Sequence, residues 1–365
     1  MSQKLKVGII CGGKSAEHEV SLQSAKNIVK AADKEKYEIV LIGINKVGEW
    51  FLYEENDFLE NADDPKEIKL KDNGLPVNLV LGKKENQLIS LENGKSLKSL
   101  DVVFPVLHGT FGEDGTIQGL LKLADIPFVG PSVLGSSAGM DKDIAKRLLR
   151  DSDIAIAKFL ILEAHKKDKI NFVQAREKLG LPIFVKPANA GSSVGVSKIE
   201  NEGEFDLSIE EAFKYDSKIL LEESVKGREL ECSVLGNENP IASVIGEVLP
   251  QKDFYSYEAK YIDSEGAKLE MPAKLEEETV KRIQDLAIKT FKVLACEGMA
   301  RVDFFLTKDN QLVVNEINTI PGFTKVSMYP KLWELSGIKY SELIDKLIQL
   351  ALYRVKREKK LETKL

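Results

Sequence analysis

Apolar runs and stretches of helical periodicity alternate at both ends of the first third of the chain. The run LKVGII (residues 5–10) predicts a buried strand, residues 20–32 predict a helix, and residues 38–44 predict a second strand. Residues 101–130 repeat this order as the strand DVVFPVLHG, the loop TFGEDG, the helix TIQGLLKLA and the short strand PFVG. Strand–helix–strand order with short connections favours a parallel α/β layer.

The remaining pattern divides the chain into three predicted units. Residues 50–100 hold an acidic stretch and a hairpin-like segment, LVLGKKENQLISL, which we interpret as a surface insertion. A helix is predicted from residue 141, two strands around a glycine-serine loop over 182–199, and a last helix over 341–353. The charged tail VKREKKLETKL is expected to be a fraying, solvated helix end. The predicted units are an N-terminal α/β domain (1–130), a central domain (131–222) and a C-terminal domain (223–365).

Composition narrows the functional class without naming it. A chain of 365 residues is long for one hydrophobic core. The formal charge of −6 argues against nucleic acid or an anionic membrane as a partner. Three scattered cysteines do not form a disulfide framework or a zinc site. No signal-peptide pattern and no long apolar run is present, so we expect a cytoplasmic protein.

The strongest local signal is RVDFFLTKDNQLVVNEIN, residues 301–318, which reads as a β-hairpin. If Asp309 and Asn310 form a two-residue turn, Asp303 lies opposite Glu316 and Arg301 lies opposite Asn318, all on one face. Opposed carboxylates repel each other, and a divalent cation would remove that penalty. Carboxylate and amide oxygens suit magnesium. A solvated hairpin face remains the alternative interpretation.

A second signal is PIFVKPANAGSSVGVSKI, residues 182–199, in which a strand ends near Lys186 and a glycine-serine loop follows. Such a loop can cradle phosphate oxygens with backbone N–H groups, and Lys186 can supply a point charge. The order of residues matches neither a Walker P-loop nor a Rossmann glycine motif. An ordinary hairpin turn would also explain it.

Two further segments carry candidate ligands. In KILLEESVKGREL, backbone groups after the strand could bind an adenine edge and Glu229 could reach a ribose, although a buried strand with a solvated turn fits as well. Glu17 and His108 follow predicted strands of the first layer, where open α/β sheets place ligands. Glu17 could instead complement a helix N-terminus, and His108 could be structural.

Taken in order, these segments resemble the D-alanine–D-alanine ligase family of the ATP-grasp superfamily. The resemblance rests on GGKSAEHEVSL, LHGTFGEDGTIQG, VGPSVLGSSAGMDK, VKPANAGSSVG, FYSYEAKY, GMARVDFF and NEINTIPGFT. It extends from about residue 6 to residue 340 and implies an ATP-grasp fold of three α/β or α+β domains. In that fold, ATP is clasped between two antiparallel sheets of the central and C-terminal domains.

The resemblance also implies the nucleotide and metal ligands. Asp303, Glu316 and Asn318 match ligands of magnesium or manganese, with two ions expected. Glu223 is assigned no role beyond its backbone. The residues implied in ATP binding are Lys142, Lys186, Ser193, Glu222, Glu223, Val225, Glu229, Lys260, Asn315 and Glu316.

For substrates, the resemblance implies two molecules of D-alanine joined through a D-alanyl phosphate, in a protein that is usually a homodimer. The first D-alanine is bound by Glu17 with His108 nearby, and Lys260 lies close to the γ-phosphate. Ser327 and the backbone of Met328 bind the carboxylate of the second, and Arg301 with Gly322 N–H stabilises the oxyanion. Ser192, Tyr261 and Glu17 are expected to hold a lid closed.

Three alternatives remain beside this interpretation. A D-alanine–D-lactate ligase, or another ATP-grasp carboxylate–amine ligase, is disfavoured by Tyr261 in the lid sequence FYSYEAKY. A nucleotide-binding regulatory protein without catalysis should have lost Arg301, Asp303, Glu316 or Lys186, and all four are present. A structural α/β protein would leave the opposed carboxylates unexplained.

Overall fold

The computed structural model describes residues 4–250 and 267–362. Its first sheet has seven strands in the order β8-β7-β6-β3-β2-β1-β9. These strands, with the two-stranded β4–β5 pair, are β1 Leu5–Gly12, β2 Tyr37–Ile44, β3 Trp50–Tyr53, β4 Leu59–Glu60, β5 Lys69–Leu70, β6 Leu75–Leu79, β7 Leu88–Ser90, β8 Ser96–Lys98 and β9 Val102–Val106. Strand β1 pairs in parallel with β2 and β9, which confirms the predicted parallel layer.

Two antiparallel sheets follow along the chain. The second sheet has the order β10-β13-β11-β12, with β10 Phe159–Glu163, β11 Ile183–Pro187, β12 Ser197–Ile199 and β13 Lys218–Glu223. The third sheet has the order β16-β15-β14-β17-β18, with β14 Gly227–Gly236, β15 Ile241–Pro250, β16 Ala267–Glu270, β17 Gly298–Thr307 and β18 Leu312–Asn318. Each predicted unit holds one of the three large sheets, while the boundaries at 130/131 and 222/223 stay predictions.

Helices cover these sheets. They are α1 His18–Ala31, α2 Thr116–Leu123, α3 Val133–Met140, α4 Lys142–Asp151, α5 Phe172–Leu179, α6 Phe205–Ala212, α7 Glu277–Val293, α8 Met328–Leu335 and α9 Tyr340–Glu358, with 3-10 turns at Ala164–Lys169 and Glu202–Glu204. Helix α4 begins after Asp141, whose side chain accepts from Ile144 N, as the sequence predicted for a helix opening there. None of the helices within the described ranges is long and apolar enough to cross a membrane.

Two predictions about local structure were wrong. Residues 50–100 are not a surface insertion, because β3, β6, β7 and β8 supply four of the seven strands of the first sheet. The segment PFVG forms only a single bridge between Val103 and Phe128. The charged tail begins as the end of a helix, since α9 continues to Glu358, where Arg357 pairs with Glu238 and Glu297, and residues 359–362 are exposed.

The largest core cluster joins the first sheet to the C-terminal helices. Side chains of β1, β2 and β9 pack with α8 and with the apolar stripe of α9, which recurs at the helical spacing Leu343, Ile344, Leu347, Ile348 and Ala351. Phe323 lies at the centre and meets Phe104 edge-on at 5.5 Å between ring centroids. The segment just after β18 is therefore held against the carboxyl end of the first sheet.

Candidate functional site

A cavity of about 580 Å³ opens where the first and third sheets face the glycine-serine loop. It is lined by side chains from three distant parts of the chain. The sequence-predicted residues in its wall are Glu17, His108, Ser192, Glu229, Arg301, Asp303, Asn315, Glu316, Asn318, Gly322, Ser327 and Met328. One concave space therefore collects most of the candidate ligands that the sequence predicted separately.

The hairpin β17–β18 carries the predicted metal face. Asp303 is directly opposite Glu316, and Arg301 is directly opposite Asn318, as the sequence predicted. On the other side of β17, Glu231 of β14 is also opposite Asp303, so three carboxylate-bearing residues form one row across three strands. Like charges at such spacing repel each other unless a cation lies between them.

Arg301 offsets part of the negative charge of this row, because its guanidinium lies between two of the carboxylates. Its Nε and Nη2 donate to the two carboxylate oxygens of Asp303, each at 2.7 Å. Its Nε also lies 2.8 Å from Glu231 Oε2. Asn318 Nδ2 donates to Asp303 Oδ2 at 3.0 Å. The guanidinium is thus fixed between two carboxylates in the cavity wall, and a planar fork held in this way has little freedom left to lose.

The turn of this hairpin differs from the prediction, although the register at the site does not. Thr307 N donates to Gln311 O at 3.0 Å, which leaves three residues in the turn, and Asn310 has φ 58°. A three-residue turn ending in a left-handed residue is a common hairpin closure. The partners near the turn are shifted by one place, and a bulge at Asn315 restores the predicted pairing.

Glu17 links the first sheet to the glycine-serine loop. The side chain is buried, and Ser192 Oγ donates to its Oε1. Backbone of both flanking loops comes close to this carboxylate, because a Cβ added at Gly109 would lie 2.5 Å from Glu17 Oε2 and one at Gly191 would lie 2.8 Å from it. A side chain at either position would require the Glu17 carboxylate to move, and Gly109 also has a positive φ of 70°.

The loop itself is held in an uncommon backbone conformation. Ser192 and Ser193 have φ values of 50° and 60°, in the left-handed region that residues with a side chain rarely adopt. Two such residues in succession turn consecutive backbone N–H groups toward the same side, which is the arrangement that binds anions in other loops. Strain of this kind concentrates at functional sites.

His108 also belongs to the cavity wall, and its side chain is buried. Its Nδ1 is 3.0 Å from Ile320 O and 3.7 Å from Glu113 Oε1, and its Nε2 is 3.1 Å from Ser24 Oγ. Burial alone would lower the pKa of His108, but the adjacent Glu113 carboxylate outweighs it and raises the pKa above its usual value. Burial in turn raises the pKa of Glu113.

Beyond the cavity wall, Lys186 and Glu222 form a buried ion pair with a third residue, Lys146. Glu222 Oε1 accepts from Lys186 Nζ at 2.7 Å, and its Oε2 lies 2.9 Å from Lys146 Nζ. Burial would raise the pKa of Glu222, but the two ammonium groups lower it to about 2. Lys186 Nζ is also 3.5 Å from Asn315 Oδ1, which places it next to the metal face.

Other predicted nucleotide residues surround this pair. Lys142 begins helix α4, donates from Nζ to Ala190 O at 2.6 Å and lies 3.9 Å from Glu316 Oε2. The Glu223 side chain accepts from Lys158 N at 2.7 Å, which gives it a structural contact in addition to its backbone. Val225 lies in the irregular segment between β13 and β14.

The segment before helix α8 forms the remaining wall. Ser327 Oγ accepts from Thr324 N at 3.0 Å and lies 2.8 Å from Thr324 Oγ1. A Cβ added at Gly322 would lie 2.7 Å from Ser327 Oγ, so the glycine permits a tight loop. Met328 is buried at the first position of α8, where backbone N–H groups lack helical acceptors. Lys260 and Tyr261, which the sequence places in the lid, lie outside the described residues.

Sequence reasoning missed Glu113, Lys146 and Glu231. Glu113 belongs to the loop TFGEDG, two residues before the glycine that precedes α2, and its acidic side chain in a βα loop was an available signal. Glu231 shares the face of Glu229 at a spacing of two in strand β14, so its position beside a predicted ligand was an available signal. Lys146 has no local signal other than a lysine on the buried face of α4.

The residues present fit a magnesium or manganese ion. Within residues 4–250 and 267–362, no group of three or more His, Cys, Asp or Glu side chains is arranged to hold a metal. Two carboxylates and one amide are nevertheless what magnesium commonly takes from a protein when phosphates and water complete its shell. Each carboxylate oxygen of Asp303 can accept more than one partner, and Asn318 can offer its Oδ1.

Comparison with known proteins agrees with this geometry. A family model described as D-ala D-ala ligase N-terminus matches residues 6–131, and one described as D-ala D-ala ligase C-terminus matches residues 148–349. A D-alanine–D-alanine ligase of Oceanobacillus iheyensis is 58% identical over 360 residues, covering 99% of this chain and 98% of the relative.

Two solved structures share the whole architecture. The D-alanine–D-alanine ligase of Coxiella burnetii superposes with a TM-score of 0.86 at 39% identity, covering 98% of this chain and 97% of that chain. The VanG D-Ala:D-Ser ligase of Enterococcus faecalis superposes with a TM-score of 0.83 at 37% identity, covering 96% and 100%. The predicted ATP-grasp fold class is thereby confirmed. With family models and relatives that span nearly its full length, the chain belongs to the D-alanine–D-alanine ligase family.

Proposed function

We propose that this chain joins two molecules of D-alanine into a dipeptide, coupled to the conversion of ATP into ADP and phosphate, for peptidoglycan precursor synthesis in the cytoplasm. The observation that carries the proposal is the single cavity in which the carboxylate row of the third sheet meets Glu17 and His108 of the first sheet. A phosphate-handling face and an amine-binding carboxylate within one closed space suit a ligase that activates a carboxylate before it accepts an amine.

In the first step, a carboxylate oxygen of the first D-alanine attacks the γ-phosphorus of ATP and ADP leaves. Positioning and charge neutralisation provide most of the catalysis in such transfers. Lys142 and Lys186 bring ammonium groups to the phosphates, and the Ser192–Ser193 loop offers its N–H groups. Glu17 holds the ammonium of the D-alanine. The adenine would meet the backbone of residues 222–225, and Glu229 would meet the ribose.

Magnesium or manganese ions would be held by Asp303, Glu316 and Asn318. The resemblance to the family implies two such ions. Bound there, the metal would supply positive charge to the transferring phosphoryl group. Arg301 keeps Asp303 pointed into the cavity through its two hydrogen bonds. The donor set is therefore oriented before any ligand arrives.

In the second step, the amine of the second D-alanine attacks the acyl carbon, and phosphate leaves. The oxyanion would be held by Arg301 and by the backbone N–H of Gly322, and such a donor is typically worth about 3 kcal/mol. Ser327 and the backbone of Met328 would take the carboxylate of this substrate. Tyr261 and Ser192 would hold the lid closed with Glu17 and exclude water from the acyl phosphate, and Lys260 would lie close to the γ-phosphate.

The proposal is tested by phosphate release from ATP with D-alanine, followed by mass analysis of the product. Asp303→Asn and Glu316→Gln should each reduce turnover by about 100-fold or more, in line with loss of a charged group that acts at the transition state. Asp309→Asn, an exposed carboxylate in the turn of the same hairpin, is the matched control and should keep full activity. Normal phosphate release in either site variant would contradict the metal assignment.

The choice of second substrate is a separate question, because one structural relative is a D-Ala:D-Ser ligase. Competition between D-alanine, D-serine and D-lactate at several pH values, with the products separated by mass, distinguishes dipeptide from ester. Tyr261→Phe should raise the use of D-lactate relative to D-alanine. An unchanged product ratio would assign the choice to another part of the lid. The expected homodimer is tested by light scattering on the purified chain.

A further inference from the structure

Lys146 has no direct part in the proposed mechanism, yet it belongs to a buried cluster of three charges that includes Lys186 and Glu222. Lys146 and Glu222 are each 2% exposed. Lys146 Nζ lies 2.9 Å from Glu222 Oε2, and Lys186 Nζ lies 2.7 Å from Glu222 Oε1. The carboxylate is therefore shared between two ammonium groups that come from different elements, α4 and β11.

Only one of the three side chains approaches the cavity. Lys186 is 16% exposed in its side chain and reaches Asn315, which lines the cavity. Lys146 is 3% exposed in its side chain and lies behind Glu222. Burial would lower the pKa of Lys186, but the carboxylates of Glu222 and Glu316 outweigh it and raise the pKa, so this lysine carries its charge at neutral pH.

The net charge of this cluster depends on the buried Lys146. With Lys186 and Glu222 alone, the pair would be neutral, and the carboxylate would cancel the charge that Lys186 could offer to an anion. With Lys146 present, the cluster has a net charge of +1, and Glu222 divides its attraction between two cations. Because buried charges are poorly screened, this difference should be felt by an anion beside Lys186.

We propose that Lys146 is a positioning residue that acts through Glu222, leaving Lys186 with net positive charge to offer to a nucleotide phosphate. The inference rests on the proposed function in that it takes ATP as the ligand beside Lys186. A lysine kept only for stability is the alternative, since removal of one member of a buried ion pair is destabilising whatever the pair does.

The test compares nucleotides with and without phosphate. Dissociation constants for ADP and for adenosine are measured by calorimetry on the full chain, for the unsubstituted protein and Lys146→Met. A unit charge lost about 10 Å from a phosphate, at an effective dielectric constant of about 20, weakens binding by roughly tenfold. We expect that loss for ADP and less than about twofold for adenosine. Lys158→Met is the matched control, because Lys158 is exposed and pairs with the neighbouring Glu223.

A second variant separates charge from packing. In Lys146→Met/Glu222→Gln the carboxylate that needs the second cation is gone, so the ratio of ADP affinity to adenosine affinity should return to within about twofold of its value in the unsubstituted protein. The ratio is compared because a change at residue 222 that affects the adenine acts on both ligands alike. Lys146→Arg should leave the ratio unchanged. Equal weakening of ADP and adenosine, unchanged ADP affinity in folded Lys146→Met, or no recovery in the double variant would overturn the proposal. Failure of the double variant to fold would also overturn it, because Lys146 would then be needed without Glu222.

These outcomes are independent of the ligase test. If the unsubstituted chain binds ADP but releases no phosphate with D-alanine, the proposed function fails and the inference about Lys146 is still decided by the binding data. If phosphate release is normal and the ADP-to-adenosine ratio does not move, the inference fails alone.

Discussion

The buried guanidinium of Arg354 makes a quantitative prediction about how helix α9 holds the first sheet. Its Nη1 donates to Gly130 O at 2.6 Å and its Nη2 donates to Phe128 O at 2.7 Å. The guanidinium carbon lies 4.4 Å from the centroid of the Phe128 ring. The side chain is 3% exposed, so water cannot replace the donors when they are removed.

Arg354→Met should lower the free energy of unfolding by about 3 kcal/mol. Hydrogen bonds from a charged donor contribute roughly 1.5–3 kcal/mol each, and a desolvated cation–π contact contributes about 2 kcal/mol. Burial of the cation opposes this gain and lowers the pKa of Arg354, and methionine no longer carries that cost. The net change in the free energy of unfolding is still a loss, because the carbonyl groups of Phe128 and Gly130 are left buried without a donor.

The matched control is Arg357→Met, on the same helix one turn later. Arg357 pairs with Glu238 at 2.6 Å and Glu297 at 2.7 Å, but its side chain is 37% exposed. Exposed ion pairs contribute about 0–1 kcal/mol each, so the loss of both pairs should cost the control no more than about 2 kcal/mol, less than the loss in Arg354→Met. Urea unfolding is followed by circular dichroism and by fluorescence of Trp50 and Trp333, and coincident curves are required. Equal losses in the two variants would refute the reasoning.

Three further predictions concern charged groups at the site. Glu113 raises the pKa of His108, so Glu113→Gln should lower the pKa of His108. The stability that protonated His108 contributes should then be lost at a lower pH, and proton NMR of the three histidines measures the change in pKa directly. The two lysines lower the pKa of Glu222 from its ordinary 4.5 to about 2, so its contribution is complete above about pH 4.5 and is lost as the pH falls toward 2; the stability difference from Glu222→Gln should shrink over that range in acid unfolding. Glu231→Gln removes one of the two carboxylates that fix Arg301, so turnover should fall about tenfold with the KM for ATP unchanged, and a raised KM alone would contradict this role.

Periodic segments of the fold were predictable because their cause is local. The runs that became β1, β2 and α1 are apolar at the spacing that their burial requires. The prediction of a surface insertion for residues 50–100 was wrong because the strands there are two to five residues long and half-exposed, so they resemble loops in sequence. Their pairing comes from the free edge of β2, which only the assembled sheet provides.

At the site, the sequence predicted the positions of side chains on strands and in motif loops. It did not predict the positions of side chains that contact the site only through another residue. Glu17 and His108 follow strands whose carboxyl ends meet at one edge, so their proximity follows from topology. Lys146 meets Glu222 across 76 positions of sequence, with nothing local to indicate it. Arg354 ends an apolar helical stripe, where periodicity alone predicts an apolar residue.

The metal face shows how a correct register can follow from an incomplete reason. The predicted pairing requires a two-residue turn, whereas the turn has three residues. The longer turn shifts the pairing register by one residue, and the bulge at Asn315 shifts it back. In a regular strand, successive side chains point to opposite faces, so Asn315 and Glu316 could not both face the cavity. The alternation of buried and half-buried residues along β18 breaks at this pair, and both side chains are half-buried, because the bulge re-aims one of them. The bulge therefore has a use beyond register: it puts Asn315 beside Lys186 and Glu316 opposite Asp303, from adjacent positions of one strand.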